Sequence, residues 1–213
     1  MTAFLLVDDH AIIRTGLKLL ILQSFPHSII DEANDGNAAF ELLKKCDYDL
    51  VVMDIHMPNT DSFGIIQTIL TLKPSLKIIM FSVNDEEIYA KRYLEIGAMG
   101  YLNKDASTDE IIKMVTLVLN NRKYISGKLN EKLLSDLQSN CQSDNPFDKL
   151  SSRQFQIVQH LAHGDSVSKI AEKLNLDTST IGTHKGRIFK KLGCCNVIDL
   201  NKLAKVYNIV LRD

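Results

Sequence analysis

The chain has 213 residues, 45% of them hydrophobic and 24% charged, and a net charge of −1. Its length suits two modest domains or one large one, and no apolar stretch nears the roughly 20 residues of a membrane span. Charge is unevenly spread, net −5 over residues 1–127 (12 Lys and Arg against 17 Asp and Glu) and net +6 over 149–213 (11 against 5), so an acidic domain is expected before a basic one with a polyanionic partner.

Phe4-Leu5-Leu6-Val7 opens the chain and runs into Asp8-Asp9, which interrupt the apolar run too early for a signal peptide. A cytoplasmic protein is expected. Ile12, Leu17, Leu20 and Ile21 then have helical spacing. Ile29-Ile30 is a weak strand, and Ala38, Ala39, Leu42 and Leu43 predict the next helix. Leu50-Val51-Val52-Met53 ends in Asp54, and the helix carrying Ile65, Ile66, Ile69 and Leu70 is stopped by Pro74. Lys77 to Phe81 ends in Ser82, and Ile88 to Ile96 is a helix closed by Gly97. Gly100 to Asn103 leads to Lys104, and Ser107-Thr108-Asp109 caps a helix from Ile111 to Leu119. Strand–helix alternation with continuous apolar strands predicts an α/β doubly wound parallel sheet of five strands, buried on both faces. Lys128 to Leu137 reads as a sixth helix, and Gln138 to Asp148 (QSNCQSDNPFD) as an exposed linker. Cys46, Cys141, Cys194 and Cys195 have no metal-binding spacing and read as reduced thiols.

In a sheet of this kind ligands bind at the carboxyl ends of the strands, where the strand order switches. Asp8, Asp9, Asp54, Ser82 and Lys104 all fall on that edge. Taken singly each has a plainer explanation: a helix cap for Asp8 or Asp9, a turn residue for Ser82, a solvated charge for Lys104. Taken together, three crowded carboxylates need a cation, and Mg²⁺ uses one or two carboxylates while keeping several waters. Lys104 is a compact charge for a phosphoryl oxygen, and the Ser82 hydroxyl is a donor for another.

Residues 1–122 resemble the receiver domain of bacterial two-component response regulators. The resemblance implies that Asp54 accepts a phosphoryl group from a sensor histidine kinase, and that Asp8, Asp9, Asp54 and the backbone carbonyl of His56 hold Mg²⁺. It implies further that Lys104 pairs with the phosphoryl group and that Ser82 and Tyr101 form the switch, with the Tyr101 ring becoming buried on phosphorylation. Pro58 and Gly97-Ala98 also match. His56 and Asn84 would flank the path of attacking water, and the bulky His56 ring is expected to block it. Activity is limited to self-phosphorylation from a phosphodonor and autodephosphorylation. An aspartyl-phosphate hydrolase is the competing class, but its nucleophile follows the first strand in a DxD arrangement, whereas Asp8 and Asp9 are adjacent here.

After residue 148 the signals are helical only, about four helices. Ser151 and Gln154 have the spacing of a capping box. Ser166 to Leu174 is a second helix, Asn175 to Asp177 a turn, and Thr178 to Leu192 a third helix: a helix-turn-helix. Residues 149–213 are similar to the LuxR-type output domain of the NarL/FixJ family. The match runs through Leu150, Arg153, Val158, Leu161, Gly164, Ile170-Ala171, Leu174, Thr180-Ile181, Thr183-His184, Ile188 and Lys191-Leu192-Gly193. It implies contacts to double-stranded DNA from Ser179, Thr180, Gly182, Thr183, Lys185, Gly186, Arg187, Lys190 and Lys191. It also implies a homodimer through Val197, Leu200 and Leu203 of the last helix. Gly182 and Gly186 depart from the longer residues often found there, and Gln154 stands for the usual Glu. The domains are thus expected at 1–122 and 149–213, joined by 123–148. The alternative is a phosphorylation-switched protein-interaction module with weak DNA binding or none.

Overall fold

A computed structural model describes residues 1–57, 60–83, 85–131, 145–207 and 209. They fall in two compact units, Met1–Glu131 and Lys132–Asp213. The first contains β1 (Ala3–Val7), α1 (Ala11–Ser24), β2 (Ile29–Ala33), α2 (Gly36–Lys45) and β3 (Leu50–Met53), then α3 (Ser62–Leu72), β4 (Lys77–Ser82), α4 (Glu86–Glu95), β5 (Gly100–Asn103) and α5 (Thr108–Leu119). The strands are all parallel, in the order β2-β1-β3-β4-β5.

Strand side chains alternate between the two faces. Phe4, Leu6, Leu50, Val52, Ile79, Phe81 and Leu102 meet Leu17 and Ile21 of α1 and Ile111, Met114, Val115 and Val118 of α5 in one core cluster. The intervening Leu5, Val7, Val51, Met53, Ile78 and Met80 are also buried, which is why the strands are continuously apolar. The helices start on short polar caps: Asp35 accepts from Ala38 N–H, Asp61 from Gly64 N–H and Ser107 from Glu110 N–H. Helix α4 starts two residues before the expected Ile88, because Asp85 accepts from Glu87 N–H and sets the N-terminus there. Ile12, expected on the packed side of α1, is 82% exposed.

The linker expected over 123–148 is shorter at both ends. Tyr124 N–H donates to Met99 C=O at 2.8 Å, and Tyr124 forms a parallel bridge with Gly100, so the chain after α5 runs alongside β5. Gly100 permits the approach, since a Cβ there would lie 3.3 Å from the Tyr124 Cβ and from Met114 Sδ. Tyr124 Oη donates to Glu110 Oε1, Ser126 N–H to Glu86 Oε1, and Lys128 Nζ lies 3.1 Å from Glu87 Oε1. Leu129 is buried, and residues 127–131 are helical. The rest of the helix expected to Leu137, and Cys141, lie outside the described residues.

At the other end a 3₁₀ turn, Pro146–Lys149, is capped by Asn145 and buries Phe147 completely. Its ring meets Phe155 and Tyr207 edge-on, with centroids 6.5 and 5.8 Å away. The polar composition around Phe147 concealed this anchor. The second unit continues with α6 (Ser152–His163), α7 (Val167–Lys173), α8 (Thr178–Leu192) and α9 (Val197–Val206). The capping box forms in both directions, Gln154 N–H to Ser151 Oγ and Ser151 N–H to Gln154 Oε1. Helix α6 ends at Gly164, whose φ of 93° suits glycine. The next residue, Asp165, is buried, and its carboxylate gathers His160 Nδ1 at 3.0 Å, Lys169 Nζ at 2.7 Å and Lys173 Nζ at 2.8 Å. Burial raises its pKa, but these three partners outweigh that and hold it well below the ordinary 3.8.

Two stability predictions follow from the anchor and the cluster. Phe147→Ala is expected to destabilise the second unit by about 3–5 kcal/mol in denaturant unfolding of the full chain, where a linker residue would change it by less than about 0.5 kcal/mol. Asp165→Asn is expected to lower the unfolding midpoint at neutral pH. Because the folded-state pKa is depressed, wild-type Asp165 contributes fully above 3.8, and its advantage over the variant shrinks as pH falls below that value. A difference constant down to pH 3 would contradict it.

Candidate functional site

The parallel register builds the first unit's site. Val7 pairs with Met53, so Asp8 and Asp54 leave adjacent strands side by side, with Asp54 N–H donating to Val7 C=O at 2.8 Å. Ser82 pairs with Asn103, and Lys104 N–H donates to Ser82 C=O at 2.9 Å. Lys104 Nζ thereby sits 2.6 Å from Asp8 Oδ2 and 2.9 Å from Asp54 Oδ2, with all three side chains buried. The other oxygen of Asp54 accepts from Ile55 N–H at 2.7 Å. Burial pushes the Asp54 pKa up, and the Lys104 charge opposes this without cancelling it. For Lys104, burial works to lower the pKa, but the Asp8 and Asp54 carboxylates beside it outweigh that and raise it.

Asp8, Asp9, His10 and Asp54 each offer a ligand atom within 4.8 Å of the others. Asp8 Oδ2 and Asp9 Oδ1 are buried without a hydrogen bond of good geometry; each only lies near a cationic or imidazole nitrogen, Lys104 Nζ at 2.6 Å and His10 Nδ1 at 2.8 Å. Two carboxylate oxygens in that state fit a divalent cation. His10 was missed by the sequence reading; its signal was its place directly after the acidic pair. The His56 ring packs edge-on to Tyr89, with centroids 6.4 Å apart. Pro58 and Asn84 lie outside the described residues.

Ser82 is fully buried, and its hydroxyl is in hydrogen-bond contact with Tyr101. The Tyr101 ring, expected to be part of the switch, lies inside the unit. The ring is 1% exposed, 6.4 Å from that of Tyr93, and burial pushes its pKa up.

In the second unit, α8 packs Ile181 and Ile188 inward and leaves Ser179, Gly182, Thr183, Gly186, Arg187 and Lys190 exposed. Thr180 and Lys185 are half-buried, Lys185 with its ammonium 5.5 Å from the centroid of the Phe189 ring. A Cβ at Gly182 or Gly186 would meet nothing within 4 Å, so packing within the unit does not demand either glycine. Lys191 is exposed as well, with its ammonium engaged within the unit. Its ammonium donates to Lys149 C=O at 2.8 Å and Gln154 Oε1 at 2.9 Å, tying the end of α8 to the start of α6. On α9, Leu200 is fully buried in the unit's own core, so it is not on a face open to a second copy; Val197 and Leu203 are half-buried. The apolar residues that face outward are Ile198 and Val206, 67% and 75% exposed. Helical spacing alone did not distinguish the two sides of a helix with apolar residues on both.

Residues 4–116 match the response regulator receiver domain, and residues 148–204 match the bacterial regulatory proteins of the luxR family. The chain is 30% identical over 210 residues to the response regulator GacA of Pseudomonas aeruginosa, covering 99% of this chain and 98% of that protein. It is 30% identical over 205 residues to the response regulator UvrY of Escherichia coli, covering 96% and 94%. Among solved structures, RcsB from Salmonella enterica serovar Typhimurium bound to the promoter rprA with a phosphomimetic superposes with a TM-score of 0.74. At 24% identity, over 96% of this chain and 99% of that one, this likeness speaks to the fold.

Proposed function

The chain belongs to the response regulators of the NarL/FixJ type, with a receiver domain and a LuxR-type output domain, and we propose that phosphorylation of Asp54 by a sensor histidine kinase controls how it binds double-stranded DNA to regulate transcription. The observation that carries this reading is the buried Asp54 carboxylate with the Lys104 ammonium at 2.9 Å and Asp8 beside it. Such a regulator meets its DNA in the cytoplasm, and among the described residues no helix is long and apolar enough to cross a membrane.

In the proposed transfer an Asp54 oxygen attacks phosphorus. A new P–O bond forms while the donor's bond to phosphorus breaks, and its electron pair leaves with the donor. Lys104 passes from the carboxylate to a phosphoryl oxygen, which keeps its charge paired throughout. Asp8, Asp9, Asp54 and the His56 carbonyl would hold Mg²⁺, which would supply charge to offset the phosphoryl group's own. The His56 ring stands against attacking water and slows loss of the group. Ser82 turns its hydroxyl to another phosphoryl oxygen and releases Tyr101. The switch lies in this exchange of hydrogen bonds and in the face formed by α4 and β5.

The proposed DNA surface is the exposed side of α8. With no side chains at Gly182 and Gly186, the backbone can approach base edges closely, bringing Thr183 and Arg187 to them. Lys185 and Lys190 serve phosphates, which gives salt dependence without sequence preference. Two copies engage through α9, where Ile198 and Val206 join Val197 and Leu203.

Incubation with acetyl phosphate and Mg²⁺ is expected to add one phosphoryl group, detected by intact mass. Asp54→Asn and excess chelator should each abolish it; full labelling of the variant would reject the assignment. On DNA, Arg187→Ala should relax selectivity at particular base pairs in selected-site sequencing. Lys190→Ala should weaken all sequences alike and reduce the slope of log affinity against log salt by about one. Lys191→Ala should leave that slope unchanged and lower the unfolding temperature instead. A wild-type affinity insensitive to salt would favour the protein-interaction alternative.

A further inference from the structure

The turn that carries the acidic pair ends in a residue with no assigned task. His10 is the N-cap of α1, yet its side chain makes no capping bond to that helix. Its ring is turned the other way. Nδ1 lies 2.8 Å from Asp9 Oδ1 and 3.2 Å from Asp8 Oδ1, on the side where the carboxylates converge with Asp54. The turn is braced in this posture by two further bonds, His10 N–H to Asp8 Oδ1 at 2.8 Å and Arg14 Nη1 to Asp8 C=O at 2.6 Å. The side chain is otherwise 63% exposed.

We propose that His10 is a nitrogen ligand of the divalent-cation site, and that it gives this receiver a preference for borderline transition ions of the Fe²⁺ to Ni²⁺ series beyond that of an all-oxygen site. The inference rests on the cation-site reading above. A six-coordinate ion with ligands at about 2.1 Å places opposite ligands about 4.2 Å apart. Four candidate atoms that already lie within 4.8 Å of one another therefore need to move little. Carboxylates and waters suit Mg²⁺, whereas an imidazole nitrogen adds affinity for the later ions and none of consequence for Mg²⁺. Ligation through Nδ1 leaves the ring proton on Nε2. The contacts of Nδ1 with Asp9 and Asp8 favour a proton on that atom before a cation binds, so binding moves the proton to Nε2, which on a ring so exposed can donate to solvent.

The later ions bind more tightly than Mg²⁺ to almost any site of this kind, so a preference in wild type alone decides nothing. The deciding quantity is how the ratio of Co²⁺ to Mg²⁺ affinity changes with residue 10. Calorimetric titration of the full chain with each ion, with the visible absorption of bound Co²⁺ as a second readout, should be run on wild type, His10→Ala and His10→Asn. The asparagine variant retains a donor for Asp8 but loses the imidazole, and the remaining histidines and cysteines are common to all three proteins. The expected result is a fall of about tenfold or more in the Co²⁺ to Mg²⁺ ratio in both variants, a changed Co²⁺ spectrum, and an almost constant Mg²⁺ affinity. An equal ratio in all three proteins overturns the proposal. Equal losses for both ions in His10→Ala, restored in His10→Asn, also overturn it and make His10 a positioning residue for Asp8. If wild type binds neither ion, the cation-site reading itself falls and this inference with it.

Discussion

At the carboxyl end of the parallel sheet, the Lys104 ammonium is shared between two buried carboxylates, Asp8 and Asp54. One positive charge faces two negative ones, so the pairing is incomplete, and a third carboxylate, Asp9, adds to the deficit. Removing one partner of a buried ion pair costs about 3–5 kcal/mol, because the other is left uncompensated. Without Lys104 two buried carboxylates would face each other unpaired, and even with it the site can take up more positive charge. The sheet order and register serve this arrangement, since a shift of one residue in β1 or β3 would turn a carboxylate to the opposite face.

The second unit manages its charge differently. Its excess of lysine and arginine is divided between groups that the fold uses and groups left to solvent. Asp165 takes up Lys169 and Lys173, and Lys191 is bound by a carbonyl and by the Gln154 amide. What remains along α8 is a smaller set, Arg187 and Lys190 with the half-buried Lys185. With Gln154 in place of glutamate, the Lys191 contact is a charge–dipole bond rather than an ion pair.

Much of this was legible in the sequence because the physics was local. Apolar runs ending in Asp8, Asp54 and Ser82 mark strand ends in any doubly wound sheet, and Ser151 with Gln154 forms its box within four residues. Legibility failed where the deciding contact came from far along the chain. Phe147 sits in a polar stretch and is buried by Phe155 and by Tyr207, sixty residues away. The destination of the Lys191 ammonium depended on Lys149 and Gln154, and the inward posture of Tyr101 on Tyr93 of α4. Leu200 and Ile198 have the same chemistry, and only the packed neighbours of α9 separate the buried one from the exposed one.

An open strand edge is a template on which a second chain can add. On the β2 side, Asp31 and Glu32 lie on the edge strand, held by Tyr48 and by Lys18. On the β5 side the guard is the chain itself, because Tyr124 pairs with Gly100 and donates to the Met99 carbonyl. A receiver fragment cut at residue 122, the boundary that the sequence invites, would lose that cover. Its β5 would be open from its first residue, so the segment leading out of the first unit also shortens the edge on which another strand could pair.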